Sequence, residues 1–223
     1  MSRESFLADL RTALGRNVAM RPGGQPAHAD VLAYFRTLSG NPERALAVYQ
    51  DYVQSFYIHA AHVPNDRSGG NVDWPGGSCD RWDELVARRR HQSQRIIDCE
   101  GYAFMGAQLL QAAGWRLQGY LVIYLLPTRT TPFDYHMMSV LQSPGAQTQA
   151  VYVGSDRPSN AWVTEAHRVW PQAHFSVRAS TVEDTPDAAI AAVQQEVARQ
   201  GERLAAPERL RRSVAPSMME MTR

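Results

Sequence analysis

The sequence CEGYAFMGAQLLQAA occupies residues 99 to 113, and the rest of the predicted fold is built around this segment. Its apolar residues fall on most faces of an α-helix, and Gly114 follows as a helix stop. A helix that is apolar nearly all round is buried, so we expect other elements of the fold to cover it on more than one side.

Strand patterns follow this helix and suggest what it packs against. Residues 117 to 125, 135 to 141 and 150 to 153 are rich in β-branched, aromatic and other apolar residues, with turn residues between them. Consecutive strands joined by short turns pair antiparallel, so we predict an antiparallel meander. We expect one or two further strands between Val163 and Val177, and then a helix from Thr185 to Arg199.

The first half of the chain has a helical character. Helix patterns cover residues 2 to 15, 30 to 39, 41 to 60 and 81 to 91, with a long Gly- and Pro-containing loop at residues 62 to 80. Helices first, then a buried helix, a meander and a last helix make an α+β order, because strands and helices do not alternate as in βαβ units.

We therefore divide the chain into three parts. Residues 1–92 form a helical N-terminal extension, residues 93–200 form the core that carries the chemistry, and residues 201–223 form a C-terminal tail that we expect to be partly disordered.

The charge balance excludes several classes of protein. All 23 basic residues are arginine and none is lysine, and 22 acidic residues leave a net charge of +1. This balance argues against a nucleic-acid binder that neutralises many phosphates and against a polybasic membrane module. A genome that favours arginine codons would account for the missing lysine. An enzyme that would otherwise couple its own lysines to a thioester, or an effector that avoids ubiquitin attachment, would account for it differently.

Apolar runs in the sequence are too short for a membrane span, which needs about 18 residues. Charged residues near the N-terminus interrupt the apolar stretch that a secretory signal requires, so we predict no Sec signal. We expect a protein that is cytoplasmic or exported by a dedicated secretion system into a target cell.

Cys99 is the first candidate for chemistry because it opens the buried helix. Asp98 stands where a helix cap belongs, and the free amides and dipole at a helix start favour a thiolate, so we expect a lowered pKa for Cys99. Such a thiolate suits a nucleophile, whereas the alternative is a small buried apolar residue. Cys79 lies in no helix start, and we interpret it as a spectator.

His136 and Asp156 complete a constellation with Cys99. His136 lies near the start of an otherwise apolar strand, where a buried imidazole needs a polar partner, and Asp156 follows the next strand. A thiol, a base and a group that orients the base are the three parts of a nucleophile triad.

The residues around Cys99 also carry a family resemblance. The pattern Asp-Cys-Glu-x-Tyr-Ala at residues 98–103, followed by Leu-Leu-x-Ala-Ala-Gly-Trp at residues 109–115, resembles the bacterial transglutaminase-like cysteine proteinases of the papain-like superfamily. That family has Gly-Asp-Cys-Glu-Asp-Tyr-Ala before a helix ending in Ala-Gly. The resemblance extends over residues 94 to 156 and implies a core in which the cysteine helix packs on an antiparallel sheet.

The resemblance implies roles for the three residues: Cys99 as the nucleophile, His136 as general base and then acid, and Asp156 as the orienting carboxylate. Two positions depart from the family pattern. Ile97 replaces the glycine before Asp-Cys, and Gly101 replaces the acid after Cys-Glu, which argues against a calcium site near the cysteine. We expect no cofactor and no metal.

The third triad member has alternatives. Asp-Cys-x-Gly also resembles the papain-related peptidoglycan amidases of the NlpC-like type, which place a second histidine or another polar residue in that position. His167 or His174 would supply the histidine, and Asn160 and Asp134 are also close enough in sequence to remain candidates.

Two further residues are candidates for the surroundings of the cysteine. In papain-like enzymes a glutamine shortly before the cysteine helps to form the oxyanion hole, so the resemblance makes Gln94 a candidate, with Gln92 as an alternative. Trp74 lies in the long loop and is a candidate substrate or lid residue, although an ordinary loop is the simpler interpretation.

A zinc site is a weaker alternative. His59 and His62 are three residues apart and would need Cys79 or Asp66 to complete a ligand set. The chain lacks the paired cysteines or the His-Glu-x-x-His pattern of common zinc sites, so we interpret these histidines as a helix end.

These patterns together predict a cysteine-dependent acyl-transfer enzyme that acts on amide bonds, as a thiol peptidase or amidase, a deamidase or a transamidase. The expected substrate is a protein, a peptide or a peptidoglycan stem, and a secreted bacterial effector or toxin with a cognate inhibitor or chaperone is a consistent setting. The alternatives are a peptidoglycan amidase or endopeptidase of the NlpC-like type, and a non-catalytic binding module on a papain-like scaffold.

Overall fold

The computed structural model describes residues 1–21, 24–59, 90–91, 94–125, 134–145, 149–170 and 179–214. Within these ranges the chain is a mixed α and β protein in which helices surround small sheets. No helix in the described ranges combines the length and the apolar character that a membrane crossing requires.

The N-terminal segment begins with capped helices. Helix α1 (Arg3–Leu14) starts where the Ser2 side chain accepts from the Ser5 amide, and it ends at Gly15, whose φ of 61° suits glycine. Short strands β1 (Met20–Arg21) and β2 (Gln25–Pro26) form a hairpin before helix α2 (His28–Thr37).

Helix α3 (Pro42–Phe56) confirms the predicted helix start. Asn41 Oδ1 accepts a hydrogen bond of 3.0 Å from the Arg44 amide, and Pro42 occupies the first turn. The helix ends earlier than predicted, because the chain becomes extended at Tyr57 and pairs with a distant strand. The predicted helix at residues 81–91 lies outside the described residues except at its last two positions, which are a strand.

A small sheet joins the N-terminal segment to the segment that carries Cys99. Strand β3 (Tyr57–His59) pairs parallel with β5 (Gln94–Ile97), and β4 (Arg90–His91) pairs antiparallel with β5. The pairing of His59 with Ile97 places the end of β3 beside the start of the next helix. The proposed division at residues 92 and 93 therefore falls within a sheet that includes both sides.

Helix α4 (Cys99–Ala112) is the buried helix of the sequence prediction. After it come β6 (Arg116–Leu125), β7 (Asp134–Gln142) and β8 (Ala150–Val153). The antiparallel pairing of β6 with β7 and of β7 with β8 confirms the predicted meander. In the described part of the chain, β9 (Ala179–Glu183) extends this sheet to the order β8-β7-β6-β9.

The main sheet is covered by helices on both faces. One face packs against α4 and α6 (Pro186–Val214) through residues such as Val122 and Met137. The other face packs against α5 (Trp162–Val169) through Ile123 and Met138. This alternation follows from the period of two along a β-strand.

The helices α1 to α3 pack on the remaining side of α4. A single buried cluster contains residues from these helices, from α4 and from the strands β7 and β8, including Phe6, Leu10, Phe35, Tyr49, Tyr52, Phe56, Met105, Leu109, Leu141 and Val153. The N-terminal helices and the cysteine helix therefore share one core.

Two predictions in the C-terminal part are wrong. The expected strand beginning at Val163 is the helix α5, because Trp162, Glu165, Ala166 and Val169 follow the spacing of a helix face and the packing stabilises that form. The last helix does not end near Gly201 but continues to Val214 into the expected tail, since one glycine inside a helix costs only about 1 kcal/mol.

Candidate active site

Cys99 is the first residue of α4, and its side chain is only 6% exposed. The Cys99 thiol donates a hydrogen bond of 3.2 Å to Oε2 of Glu100, and its Sγ accepts one of 3.4 Å from the Met137 amide. Asp98 occupies the N-cap position as predicted, but its side chain makes no capping hydrogen bond. The thiol is thus held between the helix start and strand β7.

The pKa of Cys99 is raised well above its ordinary value, which corrects the expectation of a thiolate. Burial is the largest cause, and the neighbouring carboxylates of Glu100 and Asp98 add to it, because both disfavour a second negative charge. The Met137 amide acts in the opposite direction but is outweighed. The resting side chain in this structure is a neutral thiol.

Glu100 links Cys99 to Tyr135. Its Oε1 accepts a hydrogen bond from the Tyr135 hydroxyl, while Oε2 accepts from the thiol, and the side chain is almost fully buried. Burial, together with the Glu100 charge, raises the pKa of Tyr135 well above its ordinary value. The pair Glu100 and Tyr135 therefore holds the thiol proton in place.

His136 is fully buried and faces the other side of β7. Its ring packs edge-on against Trp170 with centroids 5.9 Å apart, and its Nε2 is 3.8 Å from Oε1 of Glu165. Tyr135 and Met137, on either side of it in the strand, pack toward α4 and Cys99 instead. Neither His136 ring nitrogen has a hydrogen-bond partner among the described residues, so the thiol and the imidazole are not bonded to each other.

The Cys99 thiol nevertheless lies close to the backbone of His136. The amide that donates to Sγ belongs to Met137, and the peptide bond containing it is the one that follows His136. The structure therefore brings the nucleophile candidate to the residue next to the base candidate, with the imidazole directed away.

Asp156 does not contact His136 in this structure. Its side chain is 21% exposed, and a carboxylate oxygen is 3.9 Å from the Arg157 guanidinium in the turn after β8. In the described part of the chain, the carboxylate paired with His136 is Glu165 on α5.

The other candidates for the third position have different surroundings. The Asp134 carboxylate accepts from the Trp170 indole and the Tyr135 amide, each at 2.8 Å, and burial raises its pKa. Asn160 is exposed, and His167 lies half-buried on α5. His174 lies outside the described residues.

Sequence reasoning missed Glu165 because a strand was predicted there. The signal was present in the spacing of Trp162, Glu165, Ala166 and Val169, which is i, i+3, i+4 and i+7 of one helix face. A glutamate on such a face is directed toward the core, where it needs polar partners.

Gln94 is engaged elsewhere. Its side-chain nitrogen donates to the backbone carbonyls of Gln54 and Tyr57, the latter at 2.8 Å. Its side chain also lines a surface pocket of about 700 Å³ formed by the N-terminus and the end of α3, which does not include Cys99. In this conformation Gln94 has no free donor to offer an oxyanion, which corrects that expectation. Gln92 and Trp74 lie outside the described residues.

The structure gives little support to the weaker zinc alternative. The His59 ring stacks on Tyr102 with centroids 5.7 Å apart and an interplanar angle of 1°, whereas His62, Asp66 and Cys79 lie outside the described residues. Among the residues that the structure describes, no group of three or more His, Cys, Asp or Glu side chains is arranged to hold a metal ion.

Comparison of the chain with protein-family models, with curated proteins and with solved structures finds no match in any of the three. The assignment of function therefore depends on the residues and their geometry.

Proposed function

We propose that this chain is a cysteine-dependent acyl-transfer enzyme that acts on amide bonds, with a papain-like or transglutaminase-like core. The observation that carries the proposal is the hydrogen bond between the Met137 amide and Cys99 Sγ. It joins the start of a buried helix to the strand that bears a buried histidine, and this pairing of elements is what a Cys-His nucleophile requires.

In the proposed reaction Cys99 starts as the neutral thiol. The His136 ring turns from Trp170 toward Sγ and takes the thiol proton, and the Glu100 carboxylate releases its hydrogen bond from sulfur. Catalytic hydrogen bonds are commonly long or absent before substrate binds, so the resting geometry is compatible with this step.

The thiolate then attacks the carbonyl carbon of an amide and forms a C–S bond. The tetrahedral intermediate collapses, the C–N bond breaks, and the His136 imidazolium gives its proton to the leaving amine. The resulting thioester on Cys99 reacts with water in hydrolysis or deamidation, or with another amine in transamidation, and the thiol is restored.

The start of α4 supplies donors for the oxyanion of that intermediate. The Tyr102 amide bonds the Asp98 carbonyl as the first turn of the helix, so the amides before it have no partner within the helix. We propose the Cys99 amide for the oxyanion hole, because it lies on the nucleophile itself and at the positive end of the helix dipole.

The proposal is tested with 4-nitrophenyl acetate, which acylates an activated thiol without an identified natural substrate. We expect a burst of nitrophenol that equals the enzyme concentration and an acetyl group on Cys99 by mass spectrometry. Cys99→Ser and His136→Asn should lose the burst, while Cys79→Ser, the matched thiol control, should retain it. A burst that persists in Cys99→Ser would contradict the proposal.

A non-catalytic binding module is the second candidate, and a specific observation favours it. The buried Cys99 thiol has a raised pKa, and the His136 ring packs on Trp170 instead of facing sulfur. On this alternative the wild-type protein gives no burst, and iodoacetamide at neutral pH labels Cys99 no faster than Cys79.

Substrate class is addressed by expressing the wild type and Cys99→Ala in different compartments. Toxicity of the wild type in the bacterial periplasm would favour a peptidoglycan stem and the NlpC-like alternative. Toxicity in the bacterial or eukaryotic cytoplasm would favour a protein or peptide substrate and the proposed role as an exported effector. The absence of any Cys99-dependent effect would count against a toxin.

A further inference from the structure

The two ring nitrogens of His136 have different surroundings. Nε2 is directed toward α5, where Oε1 of Glu165 lies 3.8 Å away, and both side chains are completely buried. Nδ1 is bonded to Cγ, so it is the nitrogen nearer to the strand backbone on which Cys99 Sγ rests. Because a neutral imidazole carries its proton on one nitrogen, the group that faces Nε2 determines whether Nδ1 is available as an acceptor.

The Glu165 carboxylate is held in position by contacts on both oxygens. The Gly154 amide donates a hydrogen bond of 3.2 Å to Oε1, and Nε of Arg168 is 3.8 Å from Oε2. Arg168 lies one turn further along α5, so the helix itself spaces the two side chains. A buried carboxylate with these partners can remain charged beside the imidazole.

We propose that Glu165 is the positioning carboxylate of His136, in place of Asp156. The inference rests on the proposed function, since positioning a base is useful only if the base is used. Glu165 attracts the proton of His136 to Nε2 and leaves the Nδ1 lone pair free to receive the Cys99 proton. When the imidazole becomes charged, the carboxylate stabilises it, which is the role of the acid in a nucleophile triad.

Competing carboxylates are less suited to this role. Asp156 is partly exposed and near Arg157, whereas the Asp134 carboxylate accepts from the Trp170 indole and its neighbouring amide. The Trp170 ring also packs on the His136 ring and so covers the His136–Glu165 pair from the side. Glu165 thus differs from both in being directed at the imidazole from within the core.

The test measures which nitrogen of His136 is protonated, using ¹⁵N-labelled histidine and two-bond ¹⁵N–¹H NMR spectra of the full chain. His136→Asn identifies the signal. We expect the Nε2-protonated form in the wild type and in Asp156→Asn, which is the matched control. Glu165→Gln, which preserves shape, should shift the His136 nitrogen signals toward a mixture of both forms and should slow acylation by 4-nitrophenyl acetate on the order of 100-fold.

The outcomes separate this inference from the proposed function. A wild-type spectrum with the proton on Nδ1 overturns the role of Glu165, and so does a Glu165→Gln spectrum identical to the wild type; the first result stands even if the variant fails to fold. A wild-type protein that gives no acylation burst contradicts the proposed function. If Glu165→Gln still moves the His136 signals in that case, the His136–Glu165 coupling is upheld without the enzyme.

Discussion

The Met137 amide donates a hydrogen bond of 3.4 Å to Sγ of Cys99, and this contact ties the start of helix α4 to strand β7. It places the thiol next to the peptide bond that follows His136, although the imidazole itself faces α5. The nucleophile and base candidates are therefore neighbours through the backbone and separated through their side chains. A short side-chain rearrangement, and no change of fold, is what the proposed reaction requires.

Glu100→Gln should make Cys99 more reactive. The substitution removes a negative charge 3.2 Å from Sγ, so the pKa of the thiol should fall toward its ordinary value, and each unit of change multiplies the thiolate fraction about tenfold. The measurement is the rate of Cys99 alkylation by iodoacetamide at pH 7.5 to 9. Glu43→Gln, also at the second position of a helix but exposed, is the control; an equal rate in both variants would contradict the role given to Glu100.

Cys99 should make the protein less stable at alkaline pH. Its pKa in the folded chain lies above the ordinary value of 9.0, so the folded state retains the thiol proton where the unfolded chain has lost it. The stabilisation is therefore complete below pH 9 and declines as the pH rises, by up to about 1.4 kcal/mol per unit. Urea unfolding between pH 8 and 10 should show a flatter dependence for Cys99→Ala than for the wild type, and parallel curves would contradict the raised pKa.

Gly154→Ala should displace the His136 ring. A methyl group at this position would lie 2.6 Å from the Met137 carbonyl oxygen and 2.8 Å from Nε2 of His136, and the backbone oxygen has little freedom to move. We expect a loss of about 1–3 kcal/mol of unfolding free energy and a change in the His136 ring signals by NMR. Gly40→Ala, which meets nothing within 4 Å, should change stability by less than about 0.5 kcal/mol. Equal stabilities for the two variants would contradict this packing.

Leu10→Ala should destabilise the sheet as well as the helix that contains it. Leu10 is fully buried on α1 in the cluster that also includes Met105 of α4 and Val153 of β8. We expect a loss of about 2–5 kcal/mol in one unfolding transition seen alike by circular dichroism and tryptophan fluorescence. The exposed Arg11→Ala is the control on the same helix. Two separate transitions would show that the N-terminal helices unfold independently.

Much of the secondary structure could be predicted because its determinants are local. The cap at Asn41, the stop at Gly15 and the apolar surface of α4 depend on residues close together in the chain, and the meander follows from short turns between strands. The strands β3 and β5 could not be predicted in this way. Each is short, and their pairing joins residues almost forty positions apart.

The sequence by itself determined the buried cysteine helix, the strand order β6-β7-β8 and a histidine on the central strand, because periodicity and turn residues encode them. Only the tertiary structure decided the state and the neighbours of these groups. The Cys99 pKa is raised because folding removes water and brings two carboxylates to sulfur, and His136 meets Glu165 because β7 directs alternate side chains to opposite faces. Both effects arise from groups that different elements contribute, so spacing along the chain does not contain them.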